Sequence, residues 1–266
     1  YTERLAMPEM SSRRAEIIVA GAVILQEAMA MLGADSIIIC ERALREGVVV
    51  DWMLIHGLIE DRMQFQKSVR QRNVLKTAKK YKVHIDRAER VAGFAMTLFE
   101  QTRGTLHSWG NLEQELLWSA AILHNCGHFI SHSAHHKHSY YLIRHGELLG
   151  YTETELEVIA NIARYHRKSA PKKKHDNFRH LPTRYHRQMV TQLSALLRVA
   201  VALDRRGIGA VADIHCGYDD KHHTLYIDVK AASPGENCAS ELWNLDYKKA
   251  YFEEVFESEL KARLVH

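Results

Sequence analysis

Proline and glycine are scarce in this chain, four and 14 among 266 residues. That scarcity excludes a loop-rich sandwich or a collagen-like repeat and favours helices. Cysteine is also sparse. Cys40, Cys126, Cys216 and Cys238 are scattered with no C-x-x-C pair, which excludes a disulfide framework and a zinc ribbon and fits reduced thiols in a cytoplasm-like compartment. The longest apolar run, Ile17 to Leu25, is well short of the roughly 20 residues that span a bilayer, so no membrane association is expected. No secretory leader is recognisable in Tyr1-Thr-Glu-Arg4. A start at Tyr1 rather than Met leads us to expect a portion of a longer polypeptide. There is no internal repeat, no low-complexity stretch, no G-x-x-x-x-G-K phosphate loop and no H-E-x-x-H.

What is present is an ordinary globular composition, 46% hydrophobic and 26% charged, with 18 histidines. Net charge is +4, but it is unevenly spread. Arg164 to Arg187 holds five Arg and four Lys against Asp176, a local charge of +8, which leaves −4 on everything else. Such a run is either a solvated loop or a contact for a polyanion. The residues proposed for that contact are Arg164, Arg167, Lys172, Lys173, Lys174 and Arg179.

The periodicities predict a mostly helical protein. Residues 13–32 read as a helix stopped by Gly33. Ser36 to Cys40 reads as a short buried strand, and a second helix runs from Arg42 to about Glu60. A polar, basic helix is predicted over 64–80. Asp86 with Glu89, Asn111 with Gln114, and Thr152 with Glu155 read as openings of three further helices. An amphipathic helix follows over 187–204. Beyond Gly207, alternation predicts a hairpin of Val211–Gly217 and Thr224–Ala231, then a helix over Asp246–Leu264.

A second concentration of chemistry is Leu123-His-Asn-Cys-Gly-His128-Phe-Ile-Ser-His132. His124, His128 and His132 recur at i, i+4 and i+8, which on a helix puts them on one side. They are read either as hydrogen-bonded histidines at a helix junction or as a metal site. His135, His136 and His138 are expected to extend an exposed basic face.

This arrangement resembles the HD-domain phosphohydrolases, helical bundles that hold a divalent metal with an H…HD…D set. The matching positions here are Arg87, His124, Asn125 and Asp204. Arginine is no ligand and asparagine a poor one, so the resemblance implies a degenerate HD centre without metal, with Arg87 as a fixed cation beside Asp204. In the alternative of a working HD phosphohydrolase, His124 and Asp204 would be its catalytic residues.

The ordered blocks Arg14-Ala-Glu-Ile-Ile-Val-Ala-Gly, Arg42-Ala-Leu-Arg-Glu-Gly-Val48, Leu123-His-Asn-Cys-Gly-His, His135-His-Lys-His-Ser139, Arg164-Tyr-His-Arg167, Leu196-Leu-Arg-Val-Ala200, Glu241-Leu-Trp-Asn-Leu and Phe252-Glu-Glu-Val-Phe-Glu resemble the C-terminal half of the exopolyphosphatase / guanosine pentaphosphate phosphohydrolase (Ppx/GppA) family. The resemblance implies three parts: 1–58, the end of the second actin-like (sugar-kinase-like) α/β domain; 59–207, an HD-like helical domain; and 208–266, a small α+β domain. It further implies polyphosphate or guanosine pentaphosphate as ligand, a homodimer, and a cytoplasmic location. The family's catalytic residues fall in its N-terminal domains, so no catalytic residue and no cofactor is expected here, while Mg2+ is expected for the full-length enzyme. The alternatives are a stand-alone HD-type metal-dependent phosphohydrolase and a polyanion- or nucleic-acid-binding module. For the last, neither a recognition helix nor RNA-stacking aromatics are visible, and nucleic acid is not expected as the partner.

Overall fold

The computed structural model describes residues 1–8, 10–39, 44–55 and 69–265. The chain divides into two compact units, Tyr1–Glu60 and Asp61–His266.

The described residues of the first unit contain three helices. A single turn, α1 (Thr2–Leu5), leads to α2 (Ser12–Leu32). The Ser11 hydroxyl caps α2 by accepting from the Arg14 amide at 3.3 Å, so the helix starts one residue before the expected 13, and Gly33 closes it at φ +63°, where the sequence reading puts the stop. A third helix, α3, covers Leu44–Ile55. Residues 36–39 form no strand, contrary to the sequence reading. A lone apolar tetrapeptide needs a neighbouring ladder, and Ile39 is instead 89% exposed. Cys40, Arg42 and the extension of the second helix to Glu60 lie outside the described residues, as do 64–68 of the expected basic helix and the boundary between 58 and 59. Although no long uninterrupted apolar run exists, α2 as a whole is long and apolar enough to cross a membrane by length and composition. Only Ala15 is buried on it.

The second unit is a helical bundle carrying a small sheet. Its helices are α4 (Val69–Lys80), α5 (Ile85–Thr102), α6 (Asn111–Leu123), α7 (His135–Arg144), α8 (Glu153–Arg164), the short α9 (Asp176–Arg179) and α10 (Arg184–Ala202). Each long helix presents an apolar stripe inward: Val91, Leu98 and Phe99 from α5, Leu116, Leu117 and Ala120 from α6, Ile159 and Ile162 from α8, Leu193, Leu196 and Leu197 from α10, all essentially inaccessible.

The caps differ in detail from the sequence reading. Thr152 and Glu155 form the expected box, with Thr152 Oγ1 accepting from the Glu155 amide at 3.2 Å and Glu155 Oε2 accepting from the Thr152 amide at 2.8 Å. At α6 the partners shift by one residue, and Glu113 Oε2 accepts from the Gly110 amide at 2.8 Å. At α5 the N-cap is His84, which makes no side-chain cap. Asp86 sits inside the first turn, where its charge faces the positive helix end.

Beyond Gly207 the hairpin forms as expected, from β1 (Val211–Asp219) and β2 (Thr224–Ala231). The predicted helix over Asp246–Leu264 does not. The chain makes α11 (Ala239–Lys248) and α12 (Ala250–Phe256), breaks at Glu257 in the left-handed region (φ +50°), and runs as β3 (Glu259–Val265) parallel to β2. The two helices provide the crossover that a parallel pair requires. Leu260, Ala262 and Leu264 alternate with Lys261 and Arg263, a period-two signal absorbed into the preceding helical pattern. The sheet order is β1-β2-β3. It is fastened to the bundle by the Cys216 amide, which donates to Gln101 Oε1 at 2.6 Å, and by Asn244 Nδ2, which donates to the Ala202 carbonyl at 3.2 Å.

Candidate functional site: a histidine-lined cleft beside a basic segment

The site begins where α4 ends. Lys82 takes the left-handed conformation (φ +51°) and the Val83 amide returns to the Ala78 carbonyl at 2.9 Å, a helix-terminating turn usually given to glycine. Residues 81–84 thereby form one wall of a cleft, and the first turn of α5 presents Arg87 to it. The opposite wall is the segment after α6. That helix stops at Leu123, and Cys126–Phe129 form a 3-10 turn. Tyr81, Lys82, His84, Arg87, His124, Asn125, His128, Phe129 and His132 all line the resulting space of about 540 Å³.

The 3-10 turn is held against α7 by Ser139, whose hydroxyl donates to the His124 carbonyl at 2.7 Å and accepts from the Gly127 amide at 2.9 Å. Contact is so close that a Cβ on Gly127 would collide with the His135 carbonyl oxygen and the Ser139 amide nitrogen. Glycine is therefore required for close approach, with no special φ involved.

His124, His128 and His132 do not share a helix, contrary to the i, i+4, i+8 reading, yet the turn still directs all three into one cleft. His128 lies 4.4 Å from His132 and 3.9 Å from His135 between ring centroids, and His166 bridges His135 (5.5 Å) and His124 (5.0 Å). His135 and His136 are buried rather than exposed, and His138 is half-buried, so they form no basic face. α7 turns its N-terminal residues inward because Gly127 permits the approach. Burial pushes the His124 imidazole down to about 4, despite the favourable Ala121 carbonyl, with Arg87 adding to the effect. Burial likewise takes His135 down to about 3 and His136 to about 4, with His128 and Arg167 the respective charged neighbours. His166 is driven well below the usual imidazole range by burial and His124. At neutral pH these rings are uncharged.

The four positions at which the sequence resembles an HD centre come together. Asp204, just beyond α10, has a buried carboxylate. Arg87 Nε stands 3.2 Å from Asp204 Oδ2 and Arg90 Nε 3.2 Å from Asp204 Oδ1. Arg87 Nη2 also donates to the Asp204 carbonyl at 3.1 Å, and Arg90 Nη2 to the Gly207 carbonyl at 2.8 Å. Gly207, at φ +71°, leaves room for the Arg87 guanidinium, which a Cβ there would meet at 3.2 Å. These residues do not fit a divalent metal. A guanidinium stands against the one carboxylate, the third position, Asn125, is an amide, and among the described residues no three His, Cys, Asp or Glu side chains are placed to hold a metal ion.

The basic segment is less free than its composition suggests. Asn177 Nδ2 donates to Asn161 Oδ1 at 2.6 Å and to Tyr165 Oη at 2.9 Å, and Arg198 donates to the Tyr165 and Ser169 carbonyls at 2.7 and 2.9 Å. Arg164 lies over the Tyr140 ring at 5.6 Å. Arg167 Nη1 donates to His135 Nε2 at 3.3 Å, since His135 Nδ1 is committed to the His132 carbonyl at 3.2 Å. Arg179 pairs with Asp176 at 2.8 Å. Lys172, Lys173 and Lys174 are exposed at the tip.

Sequence reasoning missed Arg90, Arg198 and Lys248. Arg90 lies three residues from Arg87, the helical spacing that places both on one face. Arg198 and Lys248 carried no comparable signal. Lys248, on α11, is partly desolvated near Arg205 and Arg167, and burial with those cations lowers its ammonium below the usual lysine range.

The second unit thus joins a helical bundle, a small sheet and a histidine-lined turn. Residues 69–249 match the family described as Ppx/GppA phosphatase, domain III, and residues 1–56 match the Ppx/GppA phosphatase family; the chain belongs to that family. Among individual proteins it is similar to a guanosine-5'-triphosphate,3'-diphosphate pyrophosphatase of Pseudoalteromonas atlantica, with 28% identity over 204 residues, 77% of this chain and 38% of that protein. The chain thus spans less than half the length of this relative.

Proposed function

We propose that this chain is the C-terminal portion of a phosphohydrolase acting on phosphoanhydride bonds, of the guanosine pentaphosphate or polyphosphate type, and that its part is to bind the polyanion and to dimerise. In this reading 1–58 closes an actin-like domain, 59–207 is an HD-like domain whose metal centre has been replaced by the Arg87–Asp204 pair, and 208–266 is a terminal α+β domain. Mg2+ belongs to the full-length enzyme, in the cytoplasm, and no catalytic step is assigned to residues of this chain.

The observation that carries the reading, beside the family match, is the contrast within the basic segment. Its arginines are positioned by packing, Arg164 on Tyr140 and Arg167 on His135, while Lys172, Lys173 and Lys174 stand exposed at the tip with Asp176 already paired to Arg179. Pre-positioned guanidiniums and flexible ammonium groups suit a repeating phosphate chain, which needs cations at loose spacing.

The test is the triple variant K172A/K173A/K174A in the full-length parent enzyme, with affinity for long polyphosphate titrated against salt. Loss of three phosphate contacts should flatten the log–log salt slope by roughly two to three and weaken binding at low salt by about 1 kcal/mol per lysine. An unchanged slope would reduce the tip to a solvated loop.

A further inference from the structure

The cleft between residues 81–88 and 124–132 has an unusual polar inventory. None of its eleven lining residues is acidic. Behind it, one carboxylate, Asp204, is faced by two guanidiniums, Arg87 and Arg90, so the fixed charge there is positive, with Lys82 adding to it at the rim. Arg87 Nε and Asp204 Oδ2 lie 3.2 Å apart but are not aligned for a hydrogen bond, so each keeps unused capacity.

His124 supplies the opposite need. Its Nδ1 is 2.6 Å from the Ala121 carbonyl. A carbonyl only accepts, so Nδ1 carries the proton. Burial keeps the ring neutral, which leaves Nε2 as a bare lone pair. That atom is inaccessible, has no partner, and belongs to a side chain lining the cleft. Left unsatisfied, a buried polar atom of this kind costs free energy that a donated hydrogen bond would recover. The site therefore asks for an anion that also brings one hydrogen-bond donor.

We propose that this cleft binds a free or chain-terminal phosphate group that retains one proton, its oxygens facing Arg87 and Lys82 and its P–O–H donating to His124 Nε2. A singly substituted, chain-terminal phosphate has a second pKa of about 6, so a protonated fraction persists near neutrality, and free orthophosphate keeps a P–O–H throughout that range. Sulfate and the internal phosphates of a chain carry no such proton and would set an oxygen lone pair against the Nε2 lone pair. The site thereby distinguishes phosphate that ends a chain, or has left it, from phosphate within one. It is separate from the lysine tip at 172–174, and the proposal does not depend on that tip binding polyphosphate.

The experiment uses the intact 266-residue chain at neutral pH and constant ionic strength, followed by the histidine ring-proton NMR signals of His124 and His128. Those signals are identified from the variants H124F and H128A. Orthophosphate should shift both signals saturably, and sulfate and cyclic trimetaphosphate, which lacks a chain end, should bind at least tenfold more weakly. Linear tripolyphosphate is the arm that separates sources. If it competes with orthophosphate, the chain end is also a ligand, and if it does not, free phosphate alone is. H124F should abolish the preference for phosphate over sulfate, and R87Q, which leaves Asp204 with Arg90, should weaken phosphate at least tenfold. Equal binding of sulfate and phosphate, or no shift at either histidine, overturns the proposal. Should H124F fail to fold, the sulfate comparison and R87Q still decide it.

Discussion

At the scale of single residues, the site depends on two glycines with different reasons for being glycine. Gly207 combines a positive φ with the close approach of Arg87. Gly127 has an ordinary backbone but no space, and the atoms a Cβ would meet are backbone atoms of α7 that cannot swing away. Gly127→Ala must therefore push the 3-10 turn off α7, breaking the paired bonds through Ser139. We expect a loss of about 2–4 kcal/mol, in the range of overpacking combined with lost buried hydrogen bonds. Urea unfolding of the variant measures it, and a midpoint equal to the parent's would show that the turn relaxes freely.

At the scale of elements, the ends of α6, α7 and α8 bring together His124, His135, His136 and His166, each held below its ordinary range by burial. The same rings titrate near 6.5 once unfolded. Below that value the unfolded chain binds protons that the folded one refuses. Stability is thus full above about pH 6.5 and falls as pH drops towards 4. The fully enclosed His124 alone sets a slope near pH 5 of about 1.4 kcal/mol per pH unit, and the less deeply enclosed, mutually adjacent His135 and His136 add to it in the same direction. Urea midpoints between pH 7 and 5 test this. A slope below one proton would mean the rings protonate without unfolding. Elements also show where the sequence was readable. The Thr152–Glu155 box and the Gly33 stop of α2 are local chemistry and appear as predicted. The strand at 259–265 was legible in its alternation, but only β2 beside it decides between strand and helix.

At the scale of the whole molecule, two expectations follow from what the chain contains. The apolar side chains of α2 are largely uncovered, with Ile24 70% exposed. So large an apolar face calls for a covering surface. We expect a second copy to supply it, so that sedimentation at tens of micromolar shows a concentration-dependent dimer. A monodisperse monomer would contradict this, and flotation with lipid vesicles would identify a bilayer as the occupant instead. The chain also has no glycine-rich phosphate loop, and its His124–Asp204 centre is occupied by a guanidinium. Purified alone, it should release no phosphate from polyphosphate or guanosine pentaphosphate. Turnover that disappears in H124F would reverse that expectation.

The sequence alone determined most of the bundle's helices and their apolar faces, the hairpin, the family resemblance and the positions Arg87, His124, Asn125 and Asp204, because periodicity, capping and ordered motifs are local properties. It could not determine that Asp204 is shared with Arg90, that His135 and His136 turn inward while Lys172, Lys173 and Lys174 stay out, or that β3 pairs with β2. Those outcomes depend on which surfaces meet. Three backbone approaches set them: the 3-10 turn at Gly127 against α7, Gly207 against Arg87, and α11 and α12 crossing back over the sheet. Only the tertiary structure fixes how closely distant segments pack, and so which charges are buried and which atoms are left without partners.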